Sequence, residues 1–429
     1  MPSLNKVYVT GLGFISSIGN DTPSVEKSLR DLTHGFTPLP EFDQPNVPVH
    51  LAGTIKEFFT RSLDPEDWTY PSRYNVRREV LRSMSPHVLY SHCALSQALE
   101  DAGLEIDDIS NEETGMYTAS AGSPYYLYNQ IDRMHEKGIM RCSPMGIVSS
   151  ISGTVSFNLC ATFKIKGHSG GFVSACASSG HALGYALDDI RLGRQERMII
   201  VGAEDGNLES ILPFAGMRAL SLEKEPTRAS CPFDVQRKGF VGTGGAAVLI
   251  LESEKALRAR QEKGPAKVYA ELAGWGQASD GHNVAISHPD GDGLRRAMQR
   301  ALEDASESPE TVDYINAHAP STQIGDLSEI KALHSVFTMR QQHPAISSTK
   351  AITGHGLSMA SALEAGISCL AMSRGFVPGS AHLQTPDPAS EGLHLLRKTE
   401  NRKARVILSN SSGFGGANVS LVFRRPEPS

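Results

Sequence analysis

Apolar residues along this chain fall into two patterns: short continuous runs that read as buried strands, and three-to-four-residue spacings that read as amphipathic helices. Val7-Tyr8-Val9-Thr10 predicts a strand entering Gly11-Leu12-Gly13, and residues 34–75, rich in proline and polar side chains, predict an irregular surface excursion. A helix is expected from about Arg77 through Ala102, closed by Gly103. Strands are expected over 114–123, at 163–165, over Met198–Val201 and over Ala246–Leu251. Between them, Leu183, Ala186 and Ile190 mark the apolar face of a helix that follows the small-residue turn S-A-C-A-S-S-G around Cys176. A composition break rich in Arg, Lys and Gln, residues 255–267, precedes a further strand over Val268–Leu272.

Two short matches recur in the same order. Ala98-Leu-Glu-Asp-Ala102 returns as Ala301-Leu-Glu-Asp-Ala305, and Gly180-His-Ala-Leu is echoed by Gly354-His-Gly-Leu, each before an Ala-rich helix and a strand. The pattern predicts a duplicated α/β unit of ~150 residues or more, divided here into halves 1–254 and 255–429.

Composition narrows the class. With 429 residues, 40% hydrophobic, the chain buries a large core, and its net charge of -6 argues against nucleic acid as a generic partner. Six cysteines without CxxC pairs form neither a disulfide framework nor a zinc site, which points to a reducing cytoplasm. No apolar run reaches the ~20 residues needed to span a bilayer. Gly11-Leu12-Gly13 lacks the third glycine of a dinucleotide fingerprint, since position 16 is Ser16. The run Gly239 to Gly245 lacks the Lys-Ser/Thr ending of a phosphate loop and is expected to serve close backbone packing.

Cys176 at a helix N-terminus is the first candidate for chemistry. Unpaired amides and the helix dipole favour an anion there and by themselves bring a thiol from ~8.5 to around 7. A buried free cysteine fits this stretch equally well. Three later stretches break the tie. His318 follows the apolar run Tyr314-Ile315, Lys350 and His355 precede a helix, and a buried strand from Val406 ends in the glycine loop Gly413-Phe414-Gly415-Gly416. Singly, each has a bland structural reading. Their joint occurrence with Cys176 is what the bland readings handle badly, and the amides of the glycine loop could face a developing oxyanion.

At these residues the chain resembles the ketosynthases of the thiolase superfamily, most closely the β-ketoacyl-acyl carrier protein synthase II group. The resemblance spans V-T-G-L-G, A-C-A-S-S, P-F-D with G-F-V, N-A-H, T-K-A with T-G-H, and S-N-S with G-F-G-G-A-N. It implies a thiolase-like α/β fold, two βαβαβαββ halves in five layers α-β-α-β-α. It implies Cys176 as the acyl-accepting nucleophile and His318 and His355 as the pair that binds the malonyl thioester carbonyl, promotes loss of CO2 and stabilises the enolate. Lys350 matches the family lysine with Glu329 as its ion-pair partner. The amides of Cys176 and Phe414 match the oxyanion hole, and the Phe414 ring matches a gate. Phe214, Thr322, Gly413, Gly415 and Ala121 match substrate-contacting positions.

The small Ala121, where relatives often carry a larger aliphatic residue at the base of the acyl pocket, implies a long or stiff acyl chain such as a polyene. Arg77, Arg78, Arg82, Arg141 and Arg218 match a docking face for an acidic acyl carrier protein, although a solvated arginine face is the equally good plain reading. The expected partners are acyl carrier protein, with acyl and malonyl groups on phosphopantetheine, and a second subunit, giving a homodimer or a heterodimer with a chain-length factor. No metal or cofactor, nucleic acid or membrane is expected.

The chain departs from the family pattern at Pro320, which replaces a hydroxyl residue, at Gly244, which replaces an acid, at Ser358-Met-Ala-Ser361, which replaces G-A-A-G, and at Ser412, which replaces Phe. A thiolase using coenzyme A would need a second cysteine where this chain has Ser411 and Ser412. A non-catalytic chain-length factor would lack Cys176. The reading is therefore a decarboxylative Claisen condensation in fatty acid or polyketide/polyene biosynthesis.

Overall fold

The computed structural model describes residues 5–337 and 344–427. Strands β1 (Val7–Ile15), β4 (Thr114–Ala119), β5 (Ser169–Phe172), β6 (Arg197–Glu204) and β7 (Gly245–Ser253) belong to the first half. Strands β8 (Ala270–Ser279), β9 (Tyr314–Asn316), β10 (Ala345–Ser347), β11 (His394–Leu395), β12 (Val406–Gly413) and β13 (Ala417–Arg424) belong to the second. A separate hairpin joins β2 (Phe36–Pro38) to β3 (Leu51–Gly53) within the proline-rich excursion.

The strand order β11-β10-β9-β12-β13-β8-β1-β7-β6-β4-β5 contains one pattern twice. Read outward from the centre, β1-β7-β6-β4-β5 in the first half corresponds to β8-β13-β12-β9-β10 in the second, and the halves meet where β1 runs antiparallel to β8 at Tyr8 and Val9. The repeated A-L-E-D-A segments lie in corresponding helices, Pro86–Ala102 and Asp292–Asp304, and explain the paired glycines of the strands beneath them. A Cβ at Gly11 would lie 2.4 Å from the Ala98 oxygen, and one at Gly274 would lie 2.5 Å from the Ala305 nitrogen. The G-L-G segment lies inside β1 and its glycines serve helix-on-strand packing, which is why it carries no dinucleotide signature.

Three apolar clusters mark three helical layers around the strands. Pro86–Ala102 and Thr154–Phe163 cover one outer face, Asp292–Asp304 and Gln323–Phe337 the other. The helices Ser178–Arg191 and Ala360–Arg374 pack between the two halves. Every residue from Ala360 to Met372 is buried, as a helix enclosed on all sides requires. The result is the five-layer α-β-α-β-α thiolase-like arrangement.

Some local expectations shift. The helix expected from Arg77 is broken: Arg78–Leu81 forms one turn, and a new helix starts at Pro86. Proline has no amide proton to extend the preceding turn and suits a first helical position. Gly103 does close that helix, with φ 68°. The extended segment expected at 163–165 is instead a helix end, with Phe163 the last helical residue and Lys164 left-handed. Among the described residues, no helix is long and apolar enough to cross a membrane.

Candidate active site

Cys176 lies in the turn between β5 and the inner helix Ser178–Arg191. Ser178 braces this turn from within, its Oγ donating to the Ala175 carbonyl at 2.6 Å and accepting from the Ser174 amide at 2.8 Å. Ala175 holds a left-handed φ of 52°, a conformation costly for a residue with a Cβ and typical of a backbone forced to present its neighbour. The side chain of Cys176 is 8% exposed.

His355 Nε2 stands 3.1 Å from Cys176 Sγ. The His355 backbone is held by the glycine-rich run, its amide donating to the Val241 oxygen at 2.7 Å and its carbonyl accepting from the Thr243 amide at 3.2 Å. The Phe240 ring meets the His355 ring edge-on at 5.0 Å. That run is therefore the clamp on a site residue as well as a packing element. His318, at the end of β9, faces His355 with ring centroids 5.3 Å apart at 82°.

Electrostatics inside the site run against the simple helix argument. Burial pushes the Cys176 thiol up to about 12, with Lys350 pulling it partly back and Glu204 and Glu364 opposing. The sequence expectation of a thiol near 7 fails because desolvation of a buried anion outweighs a helix terminus. Both histidines are driven well below their ordinary range, first by burial and then by the Lys350 charge, so both imidazoles are neutral at neutral pH. The resting site is a neutral thiol against a neutral base.

Lys350, 1% exposed, pairs with Glu364, 2% exposed, on the buried helix Ala360–Arg374. This corrects the assignment of Glu329 as its ion-pair partner. Glu329 instead turns to the backbone of the histidine loop, accepting from the His318 amide at 3.1 Å, the Ala319 amide at 2.7 Å and Asn410 Nδ2 at 3.1 Å. Burial raises the Glu329 carboxyl, and these donors together with the Lys350 charge draw it back. Glu364 was legible in sequence only as an isolated charge inside an otherwise apolar helix.

A cavity of about 530 Å³ opens over this group and is lined by Cys176, His318, His355, Phe214, Thr322, Gly413, Phe414 and Arg218, with Pro320 and Ile324 at its wall. The structure thus brings together most of the expected contact residues. Gly413 is a close-approach glycine: a Cβ there would lie 3.0 Å from the Cys176 amide nitrogen and 2.7 Å from the Ser174 oxygen. Its absence lets the Phe414 loop seat against the Cys176 turn. The Phe414 ring, 37% exposed, stands 5.9 Å from Phe214.

Other expected residues lie elsewhere. Gly415 lines a separate cleft with Ser174 and His181 and donates its amide to the Val284 oxygen. Ala121 does not line the cavity; it is exposed just beyond β4, with its amide 3.4 Å from Glu204 Oε1. Its expected place at the base of an acyl pocket is therefore not formed within one chain. Arg77, Arg78, Arg82 and Arg141 are exposed and also away from the cavity lining, and Arg78 and Arg82 both pair with Glu66. Only Arg218 of the five stands at the cavity.

Comparison with known proteins agrees with this geometry. Residues 4–256 match the family model described as Beta-ketoacyl synthase, N-terminal domain, and residues 269–384 match Beta-ketoacyl synthase, C-terminal domain. The chain is 36% identical over 427 residues to the 3-oxoacyl-[acyl-carrier-protein] synthase 1 of Haemophilus influenzae, covering 98% of this chain and 99% of that protein. It is 33% identical to the 3-oxoacyl-[acyl-carrier-protein] synthase 2 of Staphylococcus aureus, with 100% of each covered. The crystal structure of a beta-ketoacyl synthase from Burkholderia phymatum superposes with a TM-score of 0.89 at 31% identity, covering 99% of this chain and 100% of that one.

Proposed function

The chain belongs to the β-ketoacyl synthase family, and on that premise we propose that it condenses an acyl group on Cys176 with malonyl-acyl carrier protein. The observation that carries the reading is His355 Nε2 at 3.1 Å from Cys176 Sγ, with the neutral His318 ring beside it.

In the first half-reaction His355 takes the thiol proton as Sγ attacks the acyl thioester, and the proton passes to the departing carrier sulfur. The S–C bond to the carrier breaks as the S–C bond to Cys176 forms. A proton acceptor 3.1 Å away makes this possible without a standing thiolate, which burial disfavours. The amides of Cys176 and Phe414, brought together at Gly413, take the oxyanion.

In the second half-reaction the malonyl thioester carbonyl sits between His318 and His355. Neutral imidazoles donate hydrogen bonds to the charge that grows as CO2 leaves, without supplying an acidic proton that would quench the carbanion. The enolate carbon attacks the acyl carbonyl, the S–C bond to Cys176 breaks, the departing thiolate takes a proton from water by way of His355, and the 3-oxoacyl chain leaves on the carrier. Lys350 adds positive potential across the site, and Glu329 fixes the His318 loop.

A second subunit completes the molecule on this reading. Among the described residues strand β5 stands at one edge of the sheet, with Val173 just beyond it 68% exposed, and Met140 in the segment Ile139–Arg141 is 91% exposed. Ala121 is exposed as well. A partner, a copy of this chain or a chain-length factor, would cover the edge and close the acyl pocket over Ala121. Arg218 at the cavity is the arginine best placed to meet an acidic carrier. The six free cysteines suit a reducing cytoplasm.

Incubation with an acyl-carrier and malonyl-carrier is expected to yield a 3-oxoacyl-carrier two carbons longer. Formation of product only from coenzyme A thioesters would contradict the proposal.

A further inference from the structure

The turn that carries Cys176 is tied to the opposite half of the molecule by the hydroxyl of Ser361, at a position where the family pattern has glycine. Ser361 Oγ lies 3.2 Å from the Cys176 carbonyl oxygen and 2.7 Å from Ser411 Oγ. Ser361 is 1% exposed and Ser411 3% exposed. Ser361 is the donor in both contacts, so its single proton is shared between the Cys176 carbonyl and Ser411 Oγ.

Ser411 stands on β12, two residues before Gly413, and Ser361 stands on the first turn of the helix Ala360–Arg374, six residues after His355. The three-member chain therefore joins the nucleophile turn, the segment that carries His355 and the strand that carries the glycine loop. Neighbouring bonds run the same way: Ser179 Oγ donates to the Ser358 oxygen at 2.7 Å and accepts from the Ala362 amide at 2.9 Å. Backbone pairing of His355 with residues 241–243 holds the base from the other side.

We propose that Ser361 is a positioning residue for Cys176, holding its peptide so that Sγ meets His355 and its amide meets the Phe414 loop. The hydroxyl touches no reacting atom. It acts by fixing the carbonyl of the nucleophile's own peptide, and buried polar bonds of this kind define a single geometry because leaving the carbonyl unpaired is costly. The inference rests on the condensation reading, and predicts that the acylation half-reaction depends on Ser361 while decarboxylation, which uses the histidine pair, does not.

The test compares wild type, Ser361→Ala and Ser411→Ala in two single-turnover assays: acyl transfer from acyl-carrier to Cys176, and CO2 release from malonyl-carrier. Alkylation of Cys176 by iodoacetamide supplies a third readout that needs no acyl chemistry. In Ser361→Ala, acylation is expected to slow roughly tenfold, equivalent to about 1.4 kcal/mol, with alkylation slowed in parallel and CO2 release unchanged. Ser411→Ala removes the acceptor that shares the Ser361 proton and is expected to leave acylation at the wild-type rate or above it. Ser361→Cys, which keeps the size but donates only weakly, decides the matter by the same split if Ser361→Ala does not fold. Equal loss in both half-reactions, or no change in their ratio, overturns the proposal. A wild type inert in both half-reactions would instead overturn the condensation reading.

Discussion

Lys350 spends its buried charge on Glu364, while Glu329, the carboxylate nearer to the histidine loop in sequence, holds the amides of His318 and Ala319. The two acids therefore have separable jobs. One balances a cation and the other shapes a backbone.

Removing one member of the buried pair leaves the other charge uncompensated. Lys350→Ala and Glu364→Ala are each expected to cost ~3–5 kcal/mol, and the double variant well under their sum. Urea denaturation of the four proteins measures the coupling. Additive losses would show that the pair is not a unit.

Glu329→Ala is expected to behave differently, because it strips two amides of their acceptor. Unsatisfied buried donors cost ~1–3 kcal/mol each, and the His318 loop should lose its geometry. Loss of CO2 release from malonyl-carrier, with Cys176 acylation largely kept, is the expected outcome. A stability effect without that split would mean that the loop is held by other contacts.

Gly413→Ala places a Cβ 3.0 Å from the Cys176 nitrogen and 2.7 Å from the Ser174 oxygen, forcing the two loops apart. Acylation is expected to fall roughly 10²-fold, the scale of losing an oxyanion donor. Stopped-flow release of the carrier thiol checks it. A near-normal rate would remove the glycine loop from the oxyanion account.

Acid should destabilise the protein through its buried histidines. Burial lowers His87 and His92 to about 4, and lowers His318 and His355 well below 6.5. Because the unfolded chain binds protons first, each residue's contribution is full above pH ~6.5 and is lost as pH falls toward its folded value, at about 1.4 kcal/mol per unit. Buried carboxyls pushed up by burial, Glu204 to about 8 and Asp326 and Glu364 to about 7, bind protons on folding and oppose this loss in the same window. The histidine share is therefore read from the Tm difference between wild type and His87→Asn, which should shrink as pH falls from 6.5 to 5, provided that variant folds. For the same reason, with the thiol pushed up to about 12, alkylation of Cys176 should climb through pH 9 without a plateau. A plateau below pH 8 would reveal a standing thiolate.

Much of the fold was legible because its signals are local. The A-L-E-D-A repeat and the G-L-G segment of β1 sit where helix meets strand, and their spacing survives duplication. Cys176, His318, Lys350 and His355 were legible because each ends a strand or begins a helix. Glu364 was not, since a partner 14 residues from Lys350 is chosen by how helix Ala360–Arg374 is buried. Ser361 and Ser411 were not, since a serine inside a packed interface looks like any small residue until its carbonyl partner is known. The thiol's upward shift was missed because sequence shows the helix terminus and hides the desolvation. Ala121 depends on a surface that only a second subunit would cover, so Ala121→Ile should shorten the longest acyl chain accepted only if the assembled pocket reaches it. Uniform loss at all lengths would exclude that.

The central claim is that Cys176 carries the acyl chain between two carrier-bound thioesters. Intact-mass measurement after incubation with acyl-carrier should show one acyl adduct, absent in Cys176→Ala, and addition of malonyl-carrier should discharge it with CO2 release. Absence of an adduct on the wild-type protein, or its discharge by free coenzyme A alone, would contradict the account.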